Sequence, residues 1–332
     1  METTQFAAHP LPVSKIILGT MMFGDRCDYP ASEAILRRAY EIGINSFDTA
    51  AMYTAGASEE FIGRAVQPLP REKLFITTKV VKGIDESSIL TSIDESLGRL
   101  KMDYVDLYLV HWPMAGMNIT AMMRALNQVV ASGKTRLVGV CNFPAYLLAA
   151  CNAIAAENGW ARLSCNQVAY NLIERGVEVE ILPQAVLEKI AITAYRPLAI
   201  GLLTGKFLPG MPMDAAARGT TDSRVITWLS QHGGSIKNFV NFAQARGIEP
   251  ADLAVAWVLH NPGITSPIQG VSSLRQVEAA ARMAALKLTE EDYQQVTDLF
   301  NTEVKEESLQ LFPGLKFNFP RLRRNLNLAV KD

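Results

Sequence analysis

Short apolar segments alternate along this chain with longer segments of helical periodicity. The longer segments, such as SEAILRRAYEIG and SSILTSIDESLGRL, often begin with Ser or Thr and end with Gly, as capped helices do. Apolar strands that lack a polar face are typical of a parallel sheet covered by helices on both sides. The pattern predicts eight strands alternating with helices: KIILGT, GINSFDT, LFITTKV, YVDLYLVH, RLVGVCNF, LSCNQVAY, AITAYRPL and ITSPIQG.

The spacing of the polar residues that end these strands favours a barrel. They recur about every 30 residues, the length of one βα unit, and eight such units need about 250 of the 332 residues. We therefore predict a single α/β domain over residues 1–332, a TIM (β/α)8 barrel. An open doubly wound sheet is the alternative, but it would normally carry G-x-G-x-x-G, and the chain contains no G-x-G. The strand-end residues are Asp48, Lys79, His111, Asn142, Gln167 and Tyr195.

Two irregular segments interrupt this pattern. One covers about residues 197–234 and follows the seventh strand, so we expect a long loop at the barrel face where active sites lie. The other is the tail from about residue 301, which contains LFPGLKFNFPRLRR. Its aromatic residues predict a segment near the same mouth, and the sequence leaves open whether that segment closes over the site.

Composition and charge restrict the partners of the protein. Lys plus Arg (32) nearly balances Asp plus Glu (33), so no overall field directs the protein to nucleic acid or to an anionic membrane. The four cysteines lack a CxxC spacing, which indicates free thiols in a reducing compartment. There is neither a signal-peptide pattern nor an apolar run of about 18 to 20 residues. We expect a cytoplasmic protein with a small-molecule partner, and the sequence leaves its oligomeric state open.

Four side chains at or near successive strand ends form a candidate proton-transfer site. Strand ends of a barrel converge on one mouth, so Asp48, Lys79 and His111 are expected to meet there, with Tyr53 one short loop beyond Asp48. An ammonium beside a phenol lowers the pKa of the phenol, and a carboxylate keeps that ammonium charged. Taken singly, Asp48 is also explained as a loop cap, Tyr53 as a packed aromatic, Lys79 as a solvated strand end and His111 as a core histidine. Their shared position favours the site.

Ordered sequence blocks give a more specific indication. FDTAAMY, SEEFIGRAV, FITTKV and MDYVDLYLVHWP, followed by GKTRLVGVCNF, CNQVAYNLIER, AYRPLAIGLLTGKF and ADLAVAWVLHNPGITSPIQGVSSLRQVEAA, resemble in order and spacing the blocks of the aldo-keto reductase superfamily. The resemblance covers the chain from Lys15 to about Phe300, and it is closest to the bacterial type. It implies an eight-stranded α/β barrel that binds NADPH in extended form without a Rossmann domain. It also implies reversible reduction of an aldehyde or ketone to an alcohol.

The resemblance also implies a role for each residue at the mouth. Tyr53 would give a proton to the carbonyl oxygen while hydride comes from C4 of the nicotinamide; Lys79 and Asp48 would tune Tyr53, and His111 would orient the substrate. The implied cofactor-binding residues are Gly19, Thr20, Met21, Asp48, Cys141, Asn142, Gln167, Tyr195, Arg196, Pro197, Leu198, Gly201, Lys206, Gly270, Ser272 and Gln276.

Several of these residues correspond to the nicotinamide and pyrophosphate contacts of the family. Cys141, Asn142 and Gln167 match the side chains that bind the carboxamide, and Tyr195 matches the aromatic that stacks on the nicotinamide ring. The family commonly has Ser at the position of Cys141, and a thiol is the weaker donor. Capping of the strand ends is the alternative for the two amides. Arg196 replaces a serine that contacts the pyrophosphate, and it is either a charged clamp or a solvated side chain.

The adenosine end departs most from the family pattern. Gly270 stands where a Lys or Arg usually binds the 2′-phosphate, and Ala279 and Ala280 replace a Glu-Asn pair for the adenine. Ser272 and the following helix N-terminus can still hold a phosphate, and Gln276 is retained. We therefore expect NADPH, with NADH as the alternative.

Apolar residues beside these positions predict an adaptable substrate pocket. The candidates are Met22, Phe23, Met52 and Trp112, and core packing is the alternative for such residues. No residue pattern names a particular carbonyl compound or the physiological direction of the reaction.

Two other functions are weighed against a reductase. Potassium-channel β-subunits share the family's barrel, so a nicotinamide-binding regulatory subunit is the first alternative. Those proteins typically have another residue at the histidine position, whereas this chain has His111 there. A barrel hydrolase with paired carboxylates or a metal is the second. The mouth offers one Asp beside a Lys, and the histidines have no ligand spacing, so no metal is expected.

Overall fold

The computed structural model of this protein describes residues 1–80, 85–211, 220 and 222–300. Eight parallel strands close into a barrel in the order β10-β3-β4-β5-β6-β7-β8-β9, which confirms the predicted TIM (β/α)8 barrel. The strands are β1 (Thr3–Thr4), β2 (Val13–Ser14), β3 (Ile17–Gly19), β4 (Ser46–Asp48), β5 (Phe75–Val80), β6 (Val105–Val110), β7 (Thr135–Cys141), β8 (Leu163–Ala169), β9 (Ala191–Tyr195) and β10 (Ser266–Gly270).

Helices surround the barrel, and three of them begin at Asp or Asn caps, not at the Ser or Thr that the sequence analysis expected. Asp28, Asp85 and Asn118 each accept a backbone N–H in the first turn of the helix that follows, which satisfies a donor that the helix leaves unpaired. The helices are α1 (Tyr29–Glu41), α2 (Ala57–Ala65), α3 (Glu86–Leu100), α4 (Ile119–Ala131), α5 (Ala145–Asn158), α6 (Ile181–Glu188), α7 (Ser223–Ala245), α8 (Pro250–His260), α9 (Leu274–Ala285) and α10 (Glu290–Leu299).

The predicted irregular loop over residues 197–234 is wrong in its second part. Helix α7 begins at Ser223 and continues through the Gly233–Gly234 pair, although glycine has a low helix propensity. Its buried residues Val225, Ile236 and Phe239 pack into the core, so tertiary contacts outweigh the low helix propensity of glycine. Part of the predicted loop and the whole tail from residue 301 lie outside the described residues.

An N-terminal hairpin that was not predicted closes the amino end of the barrel. β1 and β2 pair antiparallel, and Phe6 between them is completely buried against Phe75 at the start of β5, with ring centroids 4.7 Å apart. His9 follows in the same turn, and its Nε2 lies 3.2 Å from the buried carboxylate of Asp106. The hairpin therefore plugs the end opposite the strand carboxyl ends.

The core consists of two layers, as barrel strands with two buried faces require. Side chains that point inward fill the barrel, and a larger cluster lies between the strands and the helices. All four cysteines are free and buried, which confirms the expectation of free thiols. Among the described helices, none combines the length and apolar character needed to cross a membrane. The inner layer consists of Phe6, Val13, Ile17, Phe75, Leu107, Leu109, Cys141, Cys165, Ala191 and Ile268.

Candidate active site

A buried ion pair lies at the carboxyl ends of β4 and β5. Lys79 Nζ donates to Asp48 Oδ1 at 2.6 Å and to the Thr49 carbonyl at 2.6 Å, and the lysine side chain has no exposed surface. Gln167 on β8 donates from Nε2 to the other carboxylate oxygen at 2.8 Å. Burial, the largest single effect, acts to lower the pKa of Lys79, but the charge of Asp48, its hydrogen bond to the ammonium and smaller electrostatic effects together raise that pKa above its usual value. Lys79 is therefore charged, and a solvated strand end is excluded.

Tyr53 lies beside this pair on a tight turn between β4 and α2. Its hydroxyl is 3.5 Å from Lys79 Nζ, and the ammonium is 5.0 Å from the ring centroid. The turn over Tyr53–Gly56 holds Thr54 and Ala55 at φ of 50° and 54°, in the left-handed region. The Thr54 hydroxyl offsets that strain by donating to the Phe23 carbonyl at 2.9 Å. This turn aims the phenol back toward the mouth.

The expected direction of the Tyr53 pKa shift is wrong. Burial raises the pKa of Tyr53 above its usual value, and the opposing effect of the Lys79 charge is smaller. The distance of the hydroxyl from water cannot be read from the sequence, so the desolvation effect was missed. At neutral pH the phenol is protonated.

His111 follows directly after β6 and faces Tyr53. The two ring centroids are 6.1 Å apart in an edge-on arrangement, and the His111 backbone N–H donates to Val80 at 3.1 Å. Burial and, secondarily, the Lys79 charge lower the pKa of His111 to about 3, so the imidazole is neutral at physiological pH. Its Nδ1 is buried and has no hydrogen-bond partner within the described part of the chain.

Three residues predicted to bind nicotinamide lie along the next strand ends. Asn142 follows β7 and donates from Nδ2 to the His111 carbonyl at 3.3 Å, and the Tyr195 hydroxyl donates to Asn142 Oδ1 at 2.7 Å. Burial raises the pKa of the Cys141 thiol well above its usual value, so this residue is a neutral thiol. The structure therefore connects Tyr195, Asn142 and His111 in one polar chain beside the buried ion pair.

Arg196 is held by an acidic partner that sequence analysis missed. Its Nη2 lies 3.1 Å from Glu174 Oε1, and its guanidinium carbon is 4.8 Å from the Tyr195 ring centroid. Asn171 Nδ2 donates both to Glu174 Oε2 at 2.9 Å and to the Arg196 carbonyl at 3.0 Å. Arg196 is thus an anchored cation and not a solvated side chain. Glu174 gave no signal because it is one of many acidic residues in loops.

The turn after β9 provides a concave backbone segment. Arg196, Ala199, Ile200 and Gly201 all have positive φ, a conformation in which successive backbone groups form anion-binding cavities. A Cβ at Gly201 would come within 2.9 Å of Lys206 Cε, so the lysine packs directly over the turn. Pro197 is buried, and Leu198 is partly buried, within this segment.

The predicted phosphate site after β10 is more exposed than the turn after β9, and two of its residues are bonded to each other. Gln276 Oε1 accepts hydrogen bonds from the Ser272 backbone N–H at 2.6 Å and from the Ser272 hydroxyl at 3.3 Å. Gly270 is exposed, and a side chain added there would meet no heavy atom within 4 Å. A phosphate at this position would have to compete with Gln276 for the Ser272 donors.

The remaining predicted residues differ in how far their side chains are exposed at the mouth. Thr20 is completely buried, and its hydroxyl donates to the Asp48 carbonyl at 2.9 Å, so its side chain offers no surface to a cofactor. Phe23 is also completely buried in the core, which argues against a substrate contact. Met52 and Trp112 are each 52% exposed, and the Trp112 ring stacks beside His111 at 6.4 Å. Gly19 ends β3, and Met21 and Met22 are partly buried after it.

Fold and mouth together define the class of the protein: a TIM barrel whose polar residues gather where the enzymes of this fold have their active sites. A family model described as the aldo/keto reductase family matches residues 15–301. The chain therefore belongs to the aldo/keto reductase family, an oxidoreductase family.

Individual relatives agree with this assignment. An uncharacterized oxidoreductase, YrpG of Bacillus subtilis, is 31% identical over 319 residues, which cover 90% of this chain and 96% of the relative. A putative voltage-gated potassium channel subunit beta of Schizosaccharomyces pombe is 28% identical, covering 88% and 91%. A crystal structure of an aldo/keto reductase from Klebsiella pneumoniae in complex with NADP and acetate has 29% identity and a TM-score of 0.73, covering 90% of this chain and 95% of the other.

Proposed function

We propose that this protein is an NADPH-dependent carbonyl reductase in which Tyr53 is the proton donor. The observation that carries the proposal is the arrangement of Tyr53 within 3.5 Å of the buried Lys79, with Asp48 bound to the same ammonium. His111 faces the phenol from the next strand end. A protonated phenol, a fixed cation and a neutral imidazole suit proton transfer to a carbonyl oxygen at neutral pH.

The donors and acceptors at the mouth fit a nicotinamide dinucleotide. Gln167 donates from its amide nitrogen to Asp48. Asn142 makes only a long 3.3 Å bond from Nδ2. These two amides can accept from and donate to a carboxamide, with the Tyr195 ring beside them. The turn at Gly201, with Lys206 and Arg196 near it, suits a pyrophosphate, and the similar Klebsiella pneumoniae protein was solved with NADP.

Each residue of the group has a distinct role in the reduction. When bound, NADPH would supply the hydride that reduces the carbonyl carbon. Tyr53 donates its phenolic proton to the carbonyl oxygen, and Lys79 stabilises the phenolate that is left. Asp48 keeps Lys79 charged and in place, and the neutral imidazole of His111 donates a hydrogen bond that orients the carbonyl oxygen. In the reverse direction the same groups accept the proton from an alcohol.

The substrate is proposed to enter between two exposed apolar side chains. Met52 lies on the turn before Tyr53, and Trp112 follows His111, so both border the reacting groups. Their half-exposed side chains favour a carbonyl compound with an apolar body over a highly charged one. No contact in the described residues selects one compound within that class.

The test is the substitution Tyr53→Phe, which removes the proton donor and keeps the ring. We expect kcat for reduction, measured as NADPH oxidation against a panel of aldehydes and ketones, to fall by about 10²- to 10⁴-fold. NADPH binding, measured by fluorescence quenching, should change little. Tyr29→Phe on the outer helix α1 is the matched control and should leave kcat unchanged. A Tyr53→Phe variant with wild-type kcat would exclude Tyr53 as the donor.

A nicotinamide-binding regulatory subunit is the second candidate. It is favoured by the similarity to the Schizosaccharomyces pombe potassium channel subunit beta. NADPH binding without turnover of any carbonyl in the panel would support this function in place of the reductase.

A further inference from the structure

Two consecutive polar residues of α2, Ser58 and Glu59, are completely buried behind the group at the mouth. They belong to the block SEEFIGRAV, which has no role in the chemistry described above. Because α2 begins directly after the turn that carries Tyr53, the contacts of its first residues also fix the base of that turn.

The Ser58 hydroxyl is the centre of a chain of three hydroxyl groups. Its Oγ lies 2.8 Å from Thr20 Oγ1 and 2.9 Å from Thr49 Oγ1, and Thr20 donates to the Asp48 carbonyl at 2.9 Å. Each hydroxyl has a single proton, so only one direction satisfies every contact. Thr49 donates to Ser58, Ser58 donates to Thr20, and Thr20 donates to Asp48. The Thr20 carbonyl, 3.0 Å from Ser58 Oγ, shares the Ser58 proton.

This chain ends at the Thr49 hydroxyl and at the Asp48 backbone carbonyl, and the same two residues hold the Lys79 ammonium through other groups. The carbonyl of Thr49 accepts one of the two 2.6 Å hydrogen bonds from Lys79 Nζ, and the carboxylate of Asp48 accepts the other. Ser58 thus connects the residues after β3 and β4 through Thr20 and Thr49. It does so from the helix that immediately follows the Tyr53 turn.

Glu59 adds a second attachment of α2 to the same region. Its Oε1 accepts from Thr78 Oγ1 at 2.5 Å, and its Oε2 accepts from Arg99 Nε at 2.6 Å. Thr78 is the residue before Lys79 on β5, so α2 is bonded next to both partners of the Tyr53–Lys79 contact.

We propose that Ser58 is a positioning residue for carbonyl reduction: its hydroxyl fixes the Tyr53 turn relative to the Thr49 carbonyl and so sets the distance from the Tyr53 hydroxyl to Lys79 Nζ. The inference rests on the proposed reductase function. Ser58 itself touches neither substrate nor cofactor in this arrangement. Its effect is therefore on the rate of the chemical step and not on cofactor binding.

The test begins with Ser58→Ala, which leaves the Thr49 proton without an acceptor and the Thr20 oxygen without its donor. Small displacements of reacting groups cost large factors in rate, so we expect kcat to fall about 10-fold or more. The Kd for NADPH, from fluorescence quenching, should stay within about twofold, since the cofactor groups are untouched. A crystal structure of the variant should show a longer distance between Tyr53 OH and Lys79 Nζ.

Two further variants separate positioning from a general loss of packing. Ser96→Ala is the matched control, since Ser96 is a completely buried serine on α3 whose hydroxyl accepts from Arg99 at 3.3 Å. Ser96→Ala should lower Tm by no more than Ser58→Ala does, and it should leave kcat unchanged. Thr49→Val removes the donor to Ser58. The double variant with Ser58→Ala should then lose little more kcat than the worse single variant, because both break one chain.

Three results would overturn the proposal. They are a kcat for Ser58→Ala within twofold of wild type, multiplicative kcat losses in the double variant, and an unchanged Tyr53–Lys79 distance in the variant structure. A wild-type protein that binds NADPH but reduces no carbonyl would contradict the proposed function instead. In that event the variant structure alone still decides whether Ser58 sets the Tyr53–Lys79 distance.

Discussion

The two ends of the proposed cofactor site are built in opposite ways. At the nicotinamide end, Lys79 has no exposed surface and makes two hydrogen bonds of 2.6 Å, one of them to the buried carboxylate of Asp48. At the adenosine end, Gly270 is exposed, and Ser272 and Gln276 bond mainly to each other. Removing the partner of a buried charge lowers the free energy of unfolding strongly, whereas removing one member of an exposed polar pair lowers it little.

This difference separates the chemistry from the choice of cofactor. A single substitution among the reacting groups is expected to be costly, because each buried charge is stabilised by another buried group. The adenosine end has open space at Gly270 and donors whose present partner is exchangeable. We therefore expect substitutions near Lys79 to affect both stability and rate, and substitutions near Gly270 to affect only the preference between NADPH and NADH.

The largest effect is expected for Lys79→Met. The variant leaves Asp48 buried with only the Gln167 amide as partner, and breaking a buried pair costs about 3 to 5 kcal/mol. The free energy of unfolding, from urea titration, should fall by about that amount. The kcat for carbonyl reduction should fall about 10³-fold, because Tyr53 loses the nearby cation.

Lys15→Met provides the control for that prediction. Lys15 pairs with Glu2 at 2.9 Å, but both side chains are substantially exposed, so the loss should be under about 1 kcal/mol. Similar losses of stability in the two variants would contradict the contrast between buried and exposed charges.

An intermediate effect is expected from the titration of His111. Its pKa is about 3 in the folded protein, while an unfolded histidine has a pKa near about 6.5. Below pH 6.5 the unfolded chain binds the proton first, so this histidine lowers stability as the pH falls from about 6.5 toward 3 and has no effect above that range. From pH 7 to pH 5, this histidine should lower the free energy of unfolding by about 1 to 2 kcal/mol.

The variant His111→Gln tests this contribution. Urea unfolding of the wild type and of the variant at pH 7 and pH 5 should show a smaller decrease for the variant. Other acidic groups contribute equally to both proteins and cancel. Equal decreases would show that the imidazole is not held neutral by the fold.

The smallest effect is expected for Gly270→Arg at the adenosine end. The new side chain meets open space, and a guanidinium can bind a 2′-phosphate. The ratio of kcat/KM for NADPH to that for NADH should rise about fivefold, which corresponds to roughly 1 kcal/mol. Gly98→Arg on α3, which also meets open space, should leave the ratio unchanged. A decrease in the ratio for Gly270→Arg would show that the 2′-phosphate does not bind beside residue 270.

Sequence patterns located the strands of the barrel and the residues at their ends. The eight apolar segments are the eight barrel strands, because a strand buried on both faces must be apolar along its length. Asp48, Lys79 and His111 were found because they interrupt such segments. Helix α7 was missed because the burial of Phe239 and its neighbours, and not local propensity, determines that segment.

Other residues of the site carried no visible signal. Glu174 holds Arg196, and Ser58 bonds to Thr20 and Thr49, yet an acid in a loop and a serine in a helix are common in any sequence. Only their partners distinguish them, and those partners lie on other elements of the fold.

By itself, the sequence determined the strand–helix alternation, the resemblance to aldo-keto reductases and the identity of the residues that meet at the mouth. It could do so because periodicity and strand ends are local properties of the chain. Only the tertiary structure decided that Lys79 has no contact with water, that burial raises the pKa of Tyr53 and lowers that of His111, and that Gln276 occupies the Ser272 donors. Desolvation and hydrogen-bond geometry depend on which distant segments pack together, and no local pattern records that.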